Sequence, residues 1–141
     1  MDDLNSEKTK YDPITSYIQS KLCNVLFTRE LAKRLANSNV NAYALHPGVI
    51  KTEIGRNLKD SYGILGQLAS LVFCIASVWL CKSTKQGAQT TIYCALSSEL
   101  NNVSGKYYSD CKEHQLLPKA LNEQDALKLW EISEKLTNLS Q

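Results

Sequence analysis

A chain of 141 residues is long enough for one modest domain, and 43% hydrophobic content with a formal net charge of +2 describes an ordinary foldable protein. Its sixteen basic residues are interspersed with fourteen acidic ones, with no basic block and no strip of aromatics and arginines, so the composition points away from nucleic acid. Five cysteines (Cys23, Cys74, Cys81, Cys94 and Cys111) form no CxxC or ligand-like pairing; together with the polar start MDDLNSEKTK, which reads as no signal peptide, they fit reduced thiols facing a cytosolic environment and no metal site.

After the polar leader, Asp12-Pro13 opens a helix, with Asp12 as N-cap and Pro13 at the first helical position. The spacing predicts that it runs to about Ala36, with Ile18, Leu22, Val25, Leu26, Ala32 and Leu35 as its apolar stripe. Asn37-Ser38-Asn39 makes a turn. Val40 to about His46 reads as a short buried strand, ended by Pro47-Gly48, which cannot continue a ladder. Thr52 to about Lys59 suits a short helix.

From Ser61 to Cys81 there are twenty-one residues without a charge, bounded by Asp60 and Lys82. That length could span a bilayer. Its apolar residues recur at Leu65, Leu68, Leu71, Val72, Ile75, Val78 and Trp79, while Gln67, Ser70, Cys74 and Ser77 collect on the opposite side. A further helix is predicted from Ser83 to about Leu96, opened by Ser83 or Thr84. A second strand, GKYYSD from Gly105, leads through a connection containing Pro118 to a final helix from about Asn122 to Leu136, where NEQD offers acidic residues to the helix N-terminus. This alternation predicts an α/β layer protein with about two strands.

The first helix carries Tyr17 four residues ahead of Lys21, an offset that puts both side chains on one face. A tyrosine is a poor acid or base near neutral pH unless something stabilises its phenolate, and a lysine ammonium one turn away supplies that field. Such a pair can pass a proton to or from a carbonyl or alcohol oxygen while a cofactor handles hydride at carbon. The spacing alone is common by chance, and the rest of the sequence gives it weight.

YIQSKLCNVLFTRELAKRL, followed after a turn by VNAYALHPGVIKTEIGRN, resembles the C-terminal half of the short-chain dehydrogenase/reductase family, and more narrowly its retinol dehydrogenase-like members. The shared pattern is Tyr-x-x-Ser-Lys, a strand, then His-Pro-Gly with a threonine four residues after the glycine. The closing SGKYYSDCKEHQLLPKALNEQDALKLW is similar to that subgroup's tail, so the resemblance runs over nearly the whole chain in consistent order. It implies the C-terminal half of a Rossmann-type doubly wound α/β fold with an incomplete sheet. It implies Tyr17 as general acid/base and Lys21 as the residue that binds the nicotinamide ribose hydroxyls and activates the tyrosine. Tyr17, Lys21, Pro47, Gly48, Val49 and Thr52 would then hold the cofactor, NADP(H) by resemblance with NAD(H) as the alternative. Glycine lets backbone approach a ligand closely, and the carboxyl end of a strand is where open α/β sheets bind ligands. His46, a lone histidine beside a strand-ending proline, reads as structural.

The chain also departs from the family pattern. Its six glycines, at positions 48, 55, 63, 66, 87 and 105, form no Gly-rich cluster after a strand, and neither Ser6 nor Ser16 is placed as the family's catalytic serine upstream of the tyrosine. The expectation is one partial domain over residues 1–141 lacking the N-terminal dinucleotide-binding half, with this chain inactive alone; a partial gene model, a splice product and a decayed duplicate all fit. The charge-free segment at 61–81 reads as a lid over a lipophilic alcohol or aldehyde substrate such as a retinoid, combined with contact to a membrane surface, while a full span is the competing reading. The implied location is intracellular, in the cytoplasm or on the cytosolic side of a membrane such as the endoplasmic reticulum. The implied partners are the substrate and a second short-chain dehydrogenase subunit, identical or not. The other function class is a non-enzymatic fragment that binds a full-length relative or a membrane.

Overall fold

The structure, a computed structural model, describes residues 3–5, 7–8, 10–50 and 81–139. The predicted helix at Thr52–Lys59 and all of the predicted lid at 61–81 except Cys81 lie outside the described residues. Helix α1 spans Pro13–Arg34 and begins where the sequence places it. The Asp12 carboxylate accepts the Thr15 N–H at 2.9 Å, and Pro13 occupies the first position, where its missing N–H would have no helical acceptor. Lys33 and Arg34 close the last turn, where cations offset the partial negative charge of the carbonyl end.

Two compact units are distinguishable. The first consists of residues 1–44, 98–108 and 113–141. In it α1 packs against helix α3, Glu123–Leu136, and against a 3-10 turn at Pro118–Leu121. Leu26, Ala126 and Leu129 form the core, with Leu4, Leu22 and Cys23 packed against it. Phe27 stacks on Trp130 with ring centroids 5.1 Å apart, and the Arg34 guanidinium lies 4.4 Å over the same indole. Glu30 is a buried carboxylate whose charge is met by Arg34 Nε at 2.9 Å, the pairing a buried charge requires. Arg29 Nη1 donates to the Ala120 carbonyl at 2.9 Å and so ties α1 to the 3-10 turn.

Strands β1 (Tyr43–His46), β2 (Lys106–Ser109) and β3 (Lys112–Glu113) form a three-stranded open sheet in that order. The fold is mixed α/β and fits part of a Rossmann-type architecture, as predicted, but with three strands among the described residues where the sequence suggested about two. The extra strand is the return of a hairpin. Asp110 and Cys111, both in the left-handed region at φ 53° and 58°, make the two-residue turn whose twist matches the flanking strands. β1 starts at Tyr43, later than the predicted Val40, because the Ala42 N–H goes to the Ser104 hydroxyl at 2.9 Å. The Tyr43 hydroxyl donates to the Leu100 carbonyl at 2.9 Å, and its ring meets Tyr108 edge-on at 5.8 Å.

The second unit consists of residues 45–97 and 109–112. Its described helix, α2, spans Thr84–Leu96. Of the two predicted caps it uses Ser83, in a reciprocal box: Ser83 Oγ accepts the Gln86 N–H at 3.3 Å and the Gln86 side chain accepts the Ser83 N–H at 2.9 Å. α2 buries Gly87, Thr90 and Cys94.

Candidate active site

Tyr17 and Lys21 stand in the second and third turns of α1. Leu26, fully buried, lies nine residues beyond Tyr17, about two and a half turns at 3.6 residues per turn and so on the opposite side of the helix. The face that holds α1 to α3 is therefore the face away from the pair, and core packing does not explain Tyr17 or Lys21. Tyr17 is 64% exposed and Lys21 is exposed as well. The Lys21 ammonium sits over the phenol ring, 5.3 Å from its centroid, a cation–π contact that draws the two side chains together. Ser20 Oγ donates to the Tyr17 carbonyl at 2.7 Å. Ile14 and Ile18 flank the pair at 71% and 62% exposure. The sequence put Ile18 in the packing stripe, and the structure moves it to the open side, because the contact face is centred on Leu22, Cys23 and Leu26.

Pro47, Gly48 and Val49 follow β1 and belong, from Leu45 on, to the second unit. Gly48 has φ +89°, a conformation that strains any side chain, and the flexible end of Lys82 lies 2.8–3.0 Å from where a Cβ would stand. Val49 is half exposed, and its carbonyl accepts the Lys82 N–H at 2.8 Å. Ile50 and Lys82 form a parallel bridge, and Lys82 pairs with Asp110. The loop after β1 is thus pinned by Lys82, which sequence reading passed over. Gly87 was missed too, although an isolated glycine inside a helical pattern signals close packing: a Cβ at this position would stand 2.2 Å from Ile50 Cδ1. Thr52 lies outside the described residues. His46 is exposed at the end of β1.

Tyr17 and Lys21 present an open phenol and ammonium on one face of α1, groups that suit proton transfer and a ribose hydroxyl in kind, whereas at Gly48 the Lys82 side chain stands where a Cβ would be. Among the described residues no three His, Cys, Asp or Glu side chains are grouped to hold a metal ion, and no helix is long and apolar enough to cross a membrane. An open groove of about 500 Å³ in the first unit, bordered by Arg29, Lys33, Asn41 and Ser104, includes neither Tyr17 nor Lys21. Its two cations face Glu123, Lys33 at 3.2 Å and Arg29 at 3.9 Å, so it offers little free positive charge.

No family model matches the chain. The chain is 47% identical over 138 residues to human retinol dehydrogenase 14, 46% identical over 137 residues to mouse retinol dehydrogenase 12, and 43% identical over 139 residues to human retinol dehydrogenase 13. Each match covers 97–98% of this chain but only 39–41% of the relative, so the chain spans about two fifths of the length of the curated relatives it matches. Over that portion it is a homologue of the retinol dehydrogenases, of the short-chain dehydrogenase/reductase family.

Proposed function

We propose that the chain is the part of a retinol dehydrogenase-like oxidoreductase that carries the proton-transfer residues and one side of the nicotinamide site. The observation that carries this reading is the exposed Tyr17–Lys21 pair, drawn together on the side of α1 that the core does not use. Tyr17 gives a proton to, or takes one from, the oxygen of an alcohol or aldehyde. The Lys21 ammonium favours negative charge on the tyrosine oxygen and donates to ribose hydroxyls. Pro47, Gly48 and Val49 offer backbone to the nicotinamide carboxamide, and Thr52 its hydroxyl. The nicotinamide, NADP(H) in this reading, supplies hydride chemistry at the substrate carbon. The relatives' name points to a retinoid, and a lipophilic substrate agrees with the charge-free stretch at 61–81.

The six glycines form no Gly-rich turn that could cradle a pyrophosphate, so the chain alone is expected to bind NADP(H) weakly and to turn over no substrate. Calorimetric titration of the chain with NADPH tests the first point, and micromolar affinity would overturn it, because ribose and nicotinamide contacts form only part of a dinucleotide's binding surface. Activity is tested in a chimera in which the chain replaces the matching portion of human retinol dehydrogenase 14. Reduction of retinal by the chimera supports the reading, and a folded chimera that binds NADPH without activity overturns it.

Ile14 and Ile18, exposed beside the pair, favour a second reading in which this face of α1 pairs with another short-chain dehydrogenase subunit. Light scattering decides it: a dimer that dissociates in Ile14→Glu, Ile18→Glu supports pairing. For the 61–81 stretch, seating on a membrane predicts co-sedimentation with liposomes, lost on Leu68→Glu with Leu71→Glu.

A further inference from the structure

The inward face of α2 meets the hairpin turn through a second pair of reactive groups, unconnected with the Tyr17–Lys21 chemistry. Thr90 and Cys94, one helical turn apart, lie on the same side of α2 and are 2% and 9% exposed. The Thr90 hydroxyl oxygen accepts the Cys111 N–H at 3.3 Å, which holds the β2–β3 turn against this face. The ion pair between Lys82, just ahead of α2, and Asp110 fixes the turn at a second point. Cys111 occupies the second turn position with φ 58°, where glycine is the favoured residue. A thiol thus stands in a conformation that L side chains avoid, and such outliers gather at functional positions. Cys111 is half-buried and Cys94 buried, and both are free thiols. The hydrogen bond to Thr90 holds the Cys111 backbone against the face of α2 that carries Cys94 one turn on, and burial, with the neighbouring Cys111 second, pushes the Cys94 thiol up.

We propose that Cys94 and Cys111 are a paired-thiol modification site, which a hydroperoxide converts into an intrachain disulfide joining the β2–β3 turn to α2. The more accessible Cys111 sulfur attacks the peroxide O–O bond as the thiolate; the peroxide is reduced to water or an alcohol, and Cys111 becomes a sulfenic acid. The Cys94 thiol, losing its proton, then attacks the sulfenyl sulfur; the S–S bond forms, the S–O bond breaks, and the sulfenyl oxygen leaves as water. Two thiols are oxidised for one peroxide reduced.

The test treats the full chain with a small excess of hydrogen peroxide, blocks the remaining thiols and maps peptides without reductant. The expected result is a linked pair of peptides containing Cys94 and Cys111, a loss of two titratable thiols, and restoration of both by dithiothreitol. In Cys111→Ser, Cys94 should stay a thiol under the same treatment. A link from Cys111 or Cys94 to Cys23, Cys74 or Cys81, a link between two chains, or over-oxidation of Cys111 with no link overturns the proposal. Mapping of the unmodified sequence decides the question even if a variant at buried Cys94 fails to fold.

Discussion

Gly87 and Ile50 are packed so closely that a Cβ on Gly87 would lie 2.2 Å from Ile50 Cδ1 and 2.8 Å from Cγ1. Two atoms of a β-branched side chain collide, so rotation at the outer bond cannot clear both. Alanine within a helix is ordinarily better than glycine by roughly 1 kcal/mol, whereas overpacking costs about 1–3 kcal/mol. Gly87→Ala is therefore expected to destabilise the chain, and the same change made on Ile50→Ala should be stabilising. Chemical denaturation of the four chains of this cycle measures the sign, and a Gly87→Ala gain of equal size in both backgrounds would show that Ile50 does not press on α2.

Leu26 anchors the first unit. Fully buried between α1 and α3, it is expected to cost about 2–5 kcal/mol on truncation to alanine, the range for a buried leucine. Ile18→Ala, at an exposed position, should stay within roughly 0.5 kcal/mol of the parent. Urea midpoints give both values, and similar losses at the two sites would mean that the apolar stripe read from the sequence, Ile18 included, is the true contact face.

Much of this structure was legible because local chemistry and tertiary packing agree. Asp12-Pro13 and Ser83 with Gln86 announce helix starts, and Pro47-Gly48 stops β1, since each acts on its own backbone neighbours. What escaped depends on partners distant in sequence. Lys112–Glu113 is a two-residue polar strand with no alternation to betray it, and it exists because Asp110-Cys111 reverses the chain. Glu30 is buried, and Arg34, one turn on, neutralises it. Tyr17 and Lys21 share one helix face because a helix fixes their offset, and the family resemblance, not the spacing, singles them out as candidates. Lys82 and Gly87 are not singled out, since their relation to residues 47–50 arises only when α2 packs there.

Asp12 offers a test by pH. Hydrogen bonds from Thr15, its side chain first and its backbone N–H second, hold the Asp12 carboxyl below the usual carboxylate range. A group with a depressed folded-state value contributes stability above its unfolded value, and the contribution is lost as pH falls through the lowered folded one. The cap of α1 should accordingly weaken in strong acid. Asp12→Asn keeps an N-cap acceptor that does not titrate, so its helicity, followed by circular dichroism from neutral pH into acid, should fall less than the parent's over the last part of the titration. Parallel curves would mean that the charge on the cap adds nothing.

Tyr17 and Lys21 decide whether the open face of α1 is chemical or merely solvated. In the active chimera with human retinol dehydrogenase 14, Tyr17→Phe keeps the ring beneath the Lys21 ammonium and removes only the hydroxyl, so the helix and the cation–π contact should survive while proton transfer does not. The expected loss in kcat is at least about 10²-fold, the lower end for removing a general acid/base, with thermal stability nearly unchanged. Lys21→Ala should act differently. It removes both the ribose hydrogen bond and the positive charge beside the phenol, so NADPH affinity and turnover should fall together. Cys23→Ala is the control for disturbance of α1: Cys23 packs on the Leu26 core, where burial pushes its thiol up, on the side of the helix away from the pair. It should cost some stability and leave kcat near that of the parent chimera. If Tyr17→Phe retained more than about a tenth of the chimera's activity, well short of what loss of a general acid/base entails, another group would have to move the proton, and the 5.3 Å contact between Lys21 and Tyr17 would be surface packing alone.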